Sequence, residues 1–194
     1  SKAKLEATLD RKEALQGANY VITSVAQKRF TMWEKDYYIP QAYGFPQVFG
    51  ENGGPGAAFH TLRSLNLMVP IAKDMEKLCP DALLLNYTNP ESRVCLGVSR
   101  LTKIRNVGLC HGPLETLAKL SEILQKPQAD IELTVGGINH FHLALEIKDK
   151  KTGKDLRPEL DRRIASFDWG DDRFTPAYHK IFGYLVYPDP SHPG

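Results

Sequence analysis

The chain reads as an α/β protein, a doubly wound parallel sheet followed by the start of an α+β region. Three observations carry that reading. Short apolar, β-branched runs alternate with segments of helical period from Gly17 to residue 129. At Ile131 the pattern changes to apolar–polar alternation, "IELTVGGINHFHLALEIKD", as half-exposed antiparallel strands show. The 194 residues, 42% of them hydrophobic, are enough for one or two compact cores.

Each element has a local reason. "KAKLEATLDRKEAL" reads as a charged surface helix. "GANYVITSV" follows a glycine and is apolar and β-branched, which predicts a buried strand. "AQKRFTMWEKDYYIPQAYGF" is aromatic-rich and helical in its middle. "GENGGPGAAF" packs four glycines and a proline into ten residues and reads as a loop. From His60 to Leu78 apolar residues recur at helical spacing, and Pro70 predicts a kink or restart. "DALLLNYTNP" is a turn, a buried strand and a polar loop. "ESRVCLGVSRL" is a helix with Val94, Cys95, Val98 and Leu101 inward. "IRNVGLC" is the next strand, and "PLETLAKLSEIL" a helix that Pro113 opens. "DKKTGKDL" is a hairpin-like turn.

Composition removes several functions. No run reaches the roughly 18–20 apolar residues of a membrane span. The net charge of +2 and the lack of a basic block argue against nucleic-acid binding. Three cysteines without CxxC spacing argue against a disulfide framework and for a reducing, cytoplasmic setting. The charged start carries no secretory pattern. The charged opening and the ending "PDPSHPG" read as a piece of a longer protein.

Ligands of open α/β sheets bind beyond the carboxyl ends of the strands. Polar clusters fall there: Thr23-Ser24, then Asn86, Thr88 and Asn89, then Cys110-His111-Gly112. "GGINHFH" adds His140 and His142. Each has a plain alternative. Asn86 and Asn89 suit turns. Cys79 and Cys95 suit inert packing. His142 fits an exposed or packed position, and His60 and His179 lie in helical stretches with no assignment. Cys110 and His140 together suit a divalent transition metal or a nucleophile–base dyad. Adjacent residues of an extended segment point to opposite faces, so Cys110 does not easily pair with His111.

Four stretches, "GENGGPGAAFHTLRSL", "LLLNYTNPESRVC", "VGLCHGP" and "VGGINHFHLALEI", resemble the motifs of glycoside hydrolase family 4 in order and spacing. These are NAD- and manganese-dependent glycosidases related to malate and lactate dehydrogenases. The resemblance implies a Rossmann-like sheet, with 1–129 a partial NAD-binding domain and 130–194 the start of the substrate and metal domain. It implies Cys110 and His140 as ligands of Mn2+ and Asn89 as the substrate-binding asparagine. Thr23, Ser24 and Asn86 would line NAD, and His111 would help select the sugar. The catalytic base falls near Tyr187 or Asp189, or beyond Gly194. The glycine-rich dinucleotide fingerprint and the acidic ribose-binding residue have no match.

The chain looks nearest the α-galactosidase and α-glucuronidase branch. "CHG" resembles the uronide-cleaving group, whereas the rest is nearer the α-galactosidases, so the sugar stays open. The implied reaction is oxidation at carbon 3 by NAD, elimination, addition of water and re-reduction, an exception to two-carboxylate glycosidases. The implied partners are a small glycoside and further copies of the chain, as a dimer or tetramer. Two rivals remain: an NAD-dependent 2-hydroxy-acid dehydrogenase of the related fold, and a non-catalytic module.

Overall fold

The computed structural model describes residues 3–188 apart from 48 and 52. They form two compact units, 1–109 and 110–194. Among the described residues no helix is long and apolar enough to cross a membrane.

The first unit holds a parallel sheet in the order β1 (Tyr20–Thr23), β2 (Leu83–Asn86), β3 (Asn106–Gly108). The register sets Thr23 against Asn86 and Asn86 against Gly108, so the three strands end level. Between β1 and β2 run α2 (Arg29–Ala42) and α3 (Gly54–Leu78); α4 (Glu91–Leu101) links β2 to β3. Met68, Ala72 and Met75 of α3 recur at one-turn and two-turn spacing. They meet Val94 and Val98 of α4 and Leu84 of β2 in one core.

Several local expectations change. The first helix, α1, covers only Arg11–Leu15, because Asp10 caps it there by accepting from the Lys12 N–H. The glycine-rich "GENGGPGAAF" is half helix. α3 begins at Gly54, with Pro55 in its first turn. Small residues there serve packing: a Cβ on Gly56 would lie 2.1 Å from the Asp36 carbonyl oxygen. The helix also runs through Pro70 without restarting. Asn66, whose carbonyl loses its bond to the missing N–H, is exposed and so open to water. β1 is buried on one side only, since Tyr20 and Ile22 are exposed, and so is Leu101 of α4.

The second unit holds an antiparallel sheet in the order β4 (Ile131–Ile138), β5 (Phe141–Asp149), β6 (Val186–Pro188). Around it lie α5 (Gly112–Leu124), α6 (Arg157–Ile164) and α7 (Phe174–Phe182). The division falls before α5 rather than near residue 130. Leu120, Ile123 and Leu124 of α5 share a core with Ile131, Ala144, Ile147 and Leu160, which draws the helix into the second unit. The expected turn after β5 is present. Asp149 Oδ1 accepts from the Lys151 and Thr152 N–H groups at 3.0 and 2.8 Å, and Oδ2 pairs with Lys126 at 2.6 Å.

Candidate functional site

In the first unit the level strand ends carry a closed hydrogen-bond network. Asn86 is 1% exposed. Its Oδ1 accepts from the Thr23 hydroxyl at 3.2 Å and from the Thr88 N–H at 3.0 Å. Its Nδ2 donates to the Thr88 carbonyl at 3.0 Å and toward Cys95 Sγ at 3.6 Å. The Thr88 hydroxyl accepts from the Val25 N–H at 3.1 Å. An amide has two donor and two acceptor sites, and all four are spent internally. Thr23 and Asn86, both expected to line a cofactor, have buried side chains that tie one strand-end loop to the next. Cys95 belongs to the same network. Burial pushes its thiol up to about 11, against the Asn86 amide, which pulls it down. It stays protonated at neutral pH, as inert packing requires.

Beside this network lies a cavity of about 410 Å³, within the size range of small-molecule sites. Ser24 and Asn89 line it, with Phe30 and Trp33 of α2, Glu51 of the turn before α3, and His60 of α3. The Asn89 carbonyl is held by the Ser64 hydroxyl at 2.7 Å, and its residue stays exposed toward the cavity. Of the sequence candidates in this unit, Ser24 and Asn89 reach open space, while Thr23 and Asn86 do not. His60 had no sequence assignment. Its partner Asp36 sits on another helix, so no local pattern could reveal the pairing.

In the second unit Cys110 Sγ lies 3.1 Å from His140 Nε2. Cys110 directly precedes His111 and Gly112 at the start of α5. His140 is the second residue of the two-residue loop between β4 and β5, where Ile138 pairs with Phe141. Its φ of 58° is left-handed, a costly conformation for a residue with a Cβ. It is 6% exposed. Gly137 permits this approach: its φ is 145°, and a Cβ there would lie 2.7 Å from the His142 Cα.

The pair's spacing suits a shared ion. At 3.1 Å the thiol and the imidazole nitrogen are near enough that both would hold one divalent ion. Among the described residues no third His, Cys, Asp or Glu completes a cage.

His111 does not pair with Cys110. It is exposed, its Nε2 lies 3.0 Å from Glu115 Oε1 one turn along α5, and its ring meets the edge of the His140 ring at 5.8 Å. His142 is packed, with Nε2 2.7 Å from the Thr116 hydroxyl. Burial pushes its imidazole below the ordinary histidine range, and His140 nearby adds to the shift. The backbone of Tyr187 pairs with His142 in β6. Asp189 lies outside the described residues.

The parallel sheet and its crossover helices define a class, a Rossmann-like α/β fold, and the chain adds a thiol–imidazole pair. Residues 1–126 match the family model described as Family 4 glycosyl hydrolase. An alpha-glucosidase of Erwinia rhapontici is 43% identical over 182 residues, 93% of this chain and 39% of the relative. An alpha-galactosidase of Bacillus subtilis is 41% identical over 157 residues, 79% of this chain and 35% of the relative. A 6-phospho-alpha-glucosidase from gut microorganisms, solved in complex with NAD and Mn2+, shares the fold with a TM-score of 0.75 and 24% identity. That match covers 93% of this chain and 44% of the neighbour. The chain belongs to family 4 of the glycosyl hydrolases. It spans about two fifths of the length of these curated relatives.

Proposed function

We propose that this chain is the cofactor- and metal-handling part of an enzyme that hydrolyses α-glycosidic bonds by NAD-dependent oxidation, elimination, addition and reduction. The observation that carries this reading is the 3.1 Å approach of Cys110 Sγ to His140 Nε2, held at the cost of a left-handed histidine. The relatives named alpha-glucosidase and alpha-galactosidase support the α-glycoside. The neighbour solved with NAD and Mn2+ supports both cofactors.

When bound, NAD supplies a hydride acceptor next to the sugar, and the divalent ion supplies Lewis acidity. The chain's residues do the holding. The Cys110 thiolate and His140 Nε2 grip the ion, a soft and borderline pair suited to a first-row metal. With two such ligands among the described residues, further coordination is left to substrate oxygens. Ser24 lines the cofactor end, Asn89 hydrogen-bonds the sugar, and exposed His111 reads its substituents. The base that removes the sugar proton is Tyr187 or Asp189, or a residue beyond this chain. Three free thiols, one of them a ligand, fit a reducing cytoplasm. The family habit is a dimer or tetramer.

The test uses the intact protein with NAD+, Mn2+ and a thiol reductant against nitrophenyl α-galactoside, α-glucoside, α-galacturonide and α-glucuronide. We expect nitrophenol release that stops with EDTA and leaves no net NADH. Steady NADH formation from a 2-hydroxy acid, with no nitrophenol, would make it a dehydrogenase. Failure to bind NAD+ or Mn2+ by calorimetry would make it a non-catalytic module.

A further inference from the structure

The cavity of the first unit contains a second polar device, built on two helices. His60 Nδ1 lies 3.0 Å from Asp36 Oδ2. The same carboxylate oxygen accepts from the Arg63 guanidinium one turn along α3. Asp36 is 5% exposed, and its main-chain carbonyl accepts from the Gln47 amide at 2.6 Å. Gly56 lets α3 pass close enough for these contacts, since any Cβ there would strike the Asp36 carbonyl.

A buried carboxylate is an expensive way to join two helices. Its desolvation offsets much of the gain from its partners, and apolar packing of the same volume stabilises as well or better. What the carboxylate adds is orientation. Accepting from Nδ1–H fixes the ring and its tautomer, leaving Nε2 as the nitrogen available to a ligand. The ring lines the cavity and its side chain is 15% exposed, open enough to be met.

The rest of the lining fits a sugar. Phe30 and Trp33 offer apolar faces to the C–H side of a pyranose. Trp33 is held by the stacked Tyr37 ring at 5.7 Å and by its N–H bond to Glu51. Asn89 offers a polar side chain for a hydroxyl. This is the balance of apolar walls and few placed polar atoms that small-molecule sites show.

We propose that His60, aimed by Asp36, is a specificity-determining contact of this cavity and that its Nε2 hydrogen-bonds a hydroxyl of the bound glycoside. Asp36 is a positioning residue that acts through His60, and Arg63 balances its charge. This rests on the proposed glycosidase reading.

Two amide substitutions separate the contact from a structural role. The Asn amide nitrogen takes the place of Nδ1, so His60→Asn keeps the bond to Asp36 and loses the cavity contact. The Gln side-chain amide reaches the position of Nε2, where its carbonyl oxygen accepts as the unprotonated Nε2 does, so His60→Gln loses the bond to Asp36 and keeps the cavity contact. In the intact protein, His60→Asn should raise KM for the preferred nitrophenyl α-glycoside about five- to ten-fold. It should leave kcat within about two-fold and NAD+ affinity unchanged. His60→Gln should hold KM within about three-fold of the wild type even if it unfolds at a lower temperature. Asp36→Asn should raise KM in the direction of His60→Asn. The proposal is overturned if His60→Asn keeps the wild-type KM, or if its loss appears in NAD+ affinity instead. A wild-type protein that cleaves no glycoside sinks the glycosidase reading and this inference with it. A wild-type protein that cleaves one, while His60→Asn is silent, sinks the inference alone.

Discussion

The polar clusters of the two units look alike in sequence and behave differently in space. Thr23, Asn86 and Thr88 have closed their hydrogen bonds on one another, and Asn86 has no site left to offer. Cys110, before α5, and His140, in the left-handed turn of the β4–β5 hairpin, bring a thiol and an imidazole nitrogen within 3.1 Å. A saturated buried amide is scaffold. A thiol and an imidazole converging at a left-handed loop residue are the pair we propose for binding.

The sharpest way to break this contrast is at Cys110. Cys110→Ser in the intact protein should weaken Mn2+ binding at least about a hundred-fold by calorimetry. Its unfolding free energy should move by less than about 1 kcal/mol. Unchanged Mn2+ affinity would remove the pair from the metal site. Asn86→Ala should do the opposite. It strands the Thr23 hydroxyl and the Thr88 N–H and carbonyl, and should cost about 2–4 kcal/mol in urea unfolding. A neutral result would mean that water replaces the amide and that the cluster is not scaffold.

Thr116→Val sharpens the picture inside the second unit, because it takes the hydroxyl from His142 Nε2 while keeping the volume. We expect about 1–2 kcal/mol of lost stability by thermal unfolding; a larger drop in Mn2+ affinity than in stability would show that His142 braces His140.

The smallest effect belongs to Asp149, far from either cluster in role. The Lys126 ammonium, followed by the Thr152 N–H, holds its carboxyl well below the usual carboxylate range. Its folded pKa is depressed, so its stabilisation is present above the unfolded value near 3.9. It is lost as the pH falls toward the folded one. Asp149→Asn should lower stability modestly at neutral pH, where the Lys126 pairing is present, converge with the wild type at low pH, and so flatten the acid limb of a stability–pH curve. An acid limb identical to the wild type would place the carboxylate outside the pH response.

Elements with a strong local period were legible in the sequence. β2, α4, β3 and α5 fall where apolar spacing put them, because one buried face dictates the period. The start of α3 was hidden, since "GGPG" reads as a loop when only local preference is weighed. Contact with Asp36 demands small residues there and overrides that preference. The boundary between the units was misplaced for a similar reason: α5 follows a parallel strand in sequence, yet buries its leucines against β4 and β5. The chemically capable residues could be named from the sequence, but not which of their polar atoms are already satisfied by neighbours.

By itself the sequence determined the family, the alternation of strands and helices, and the short list of chemically capable residues. Those follow from residue identity and from periods of a few residues. Only the tertiary structure decided which candidates were spent and which were available. It buried Asn86 in its own network, set Cys110 beside a histidine 30 positions away, and joined Asp36 to His60 across two helices. Such contacts depend on how elements pack, and no local run of residues encodes the partner.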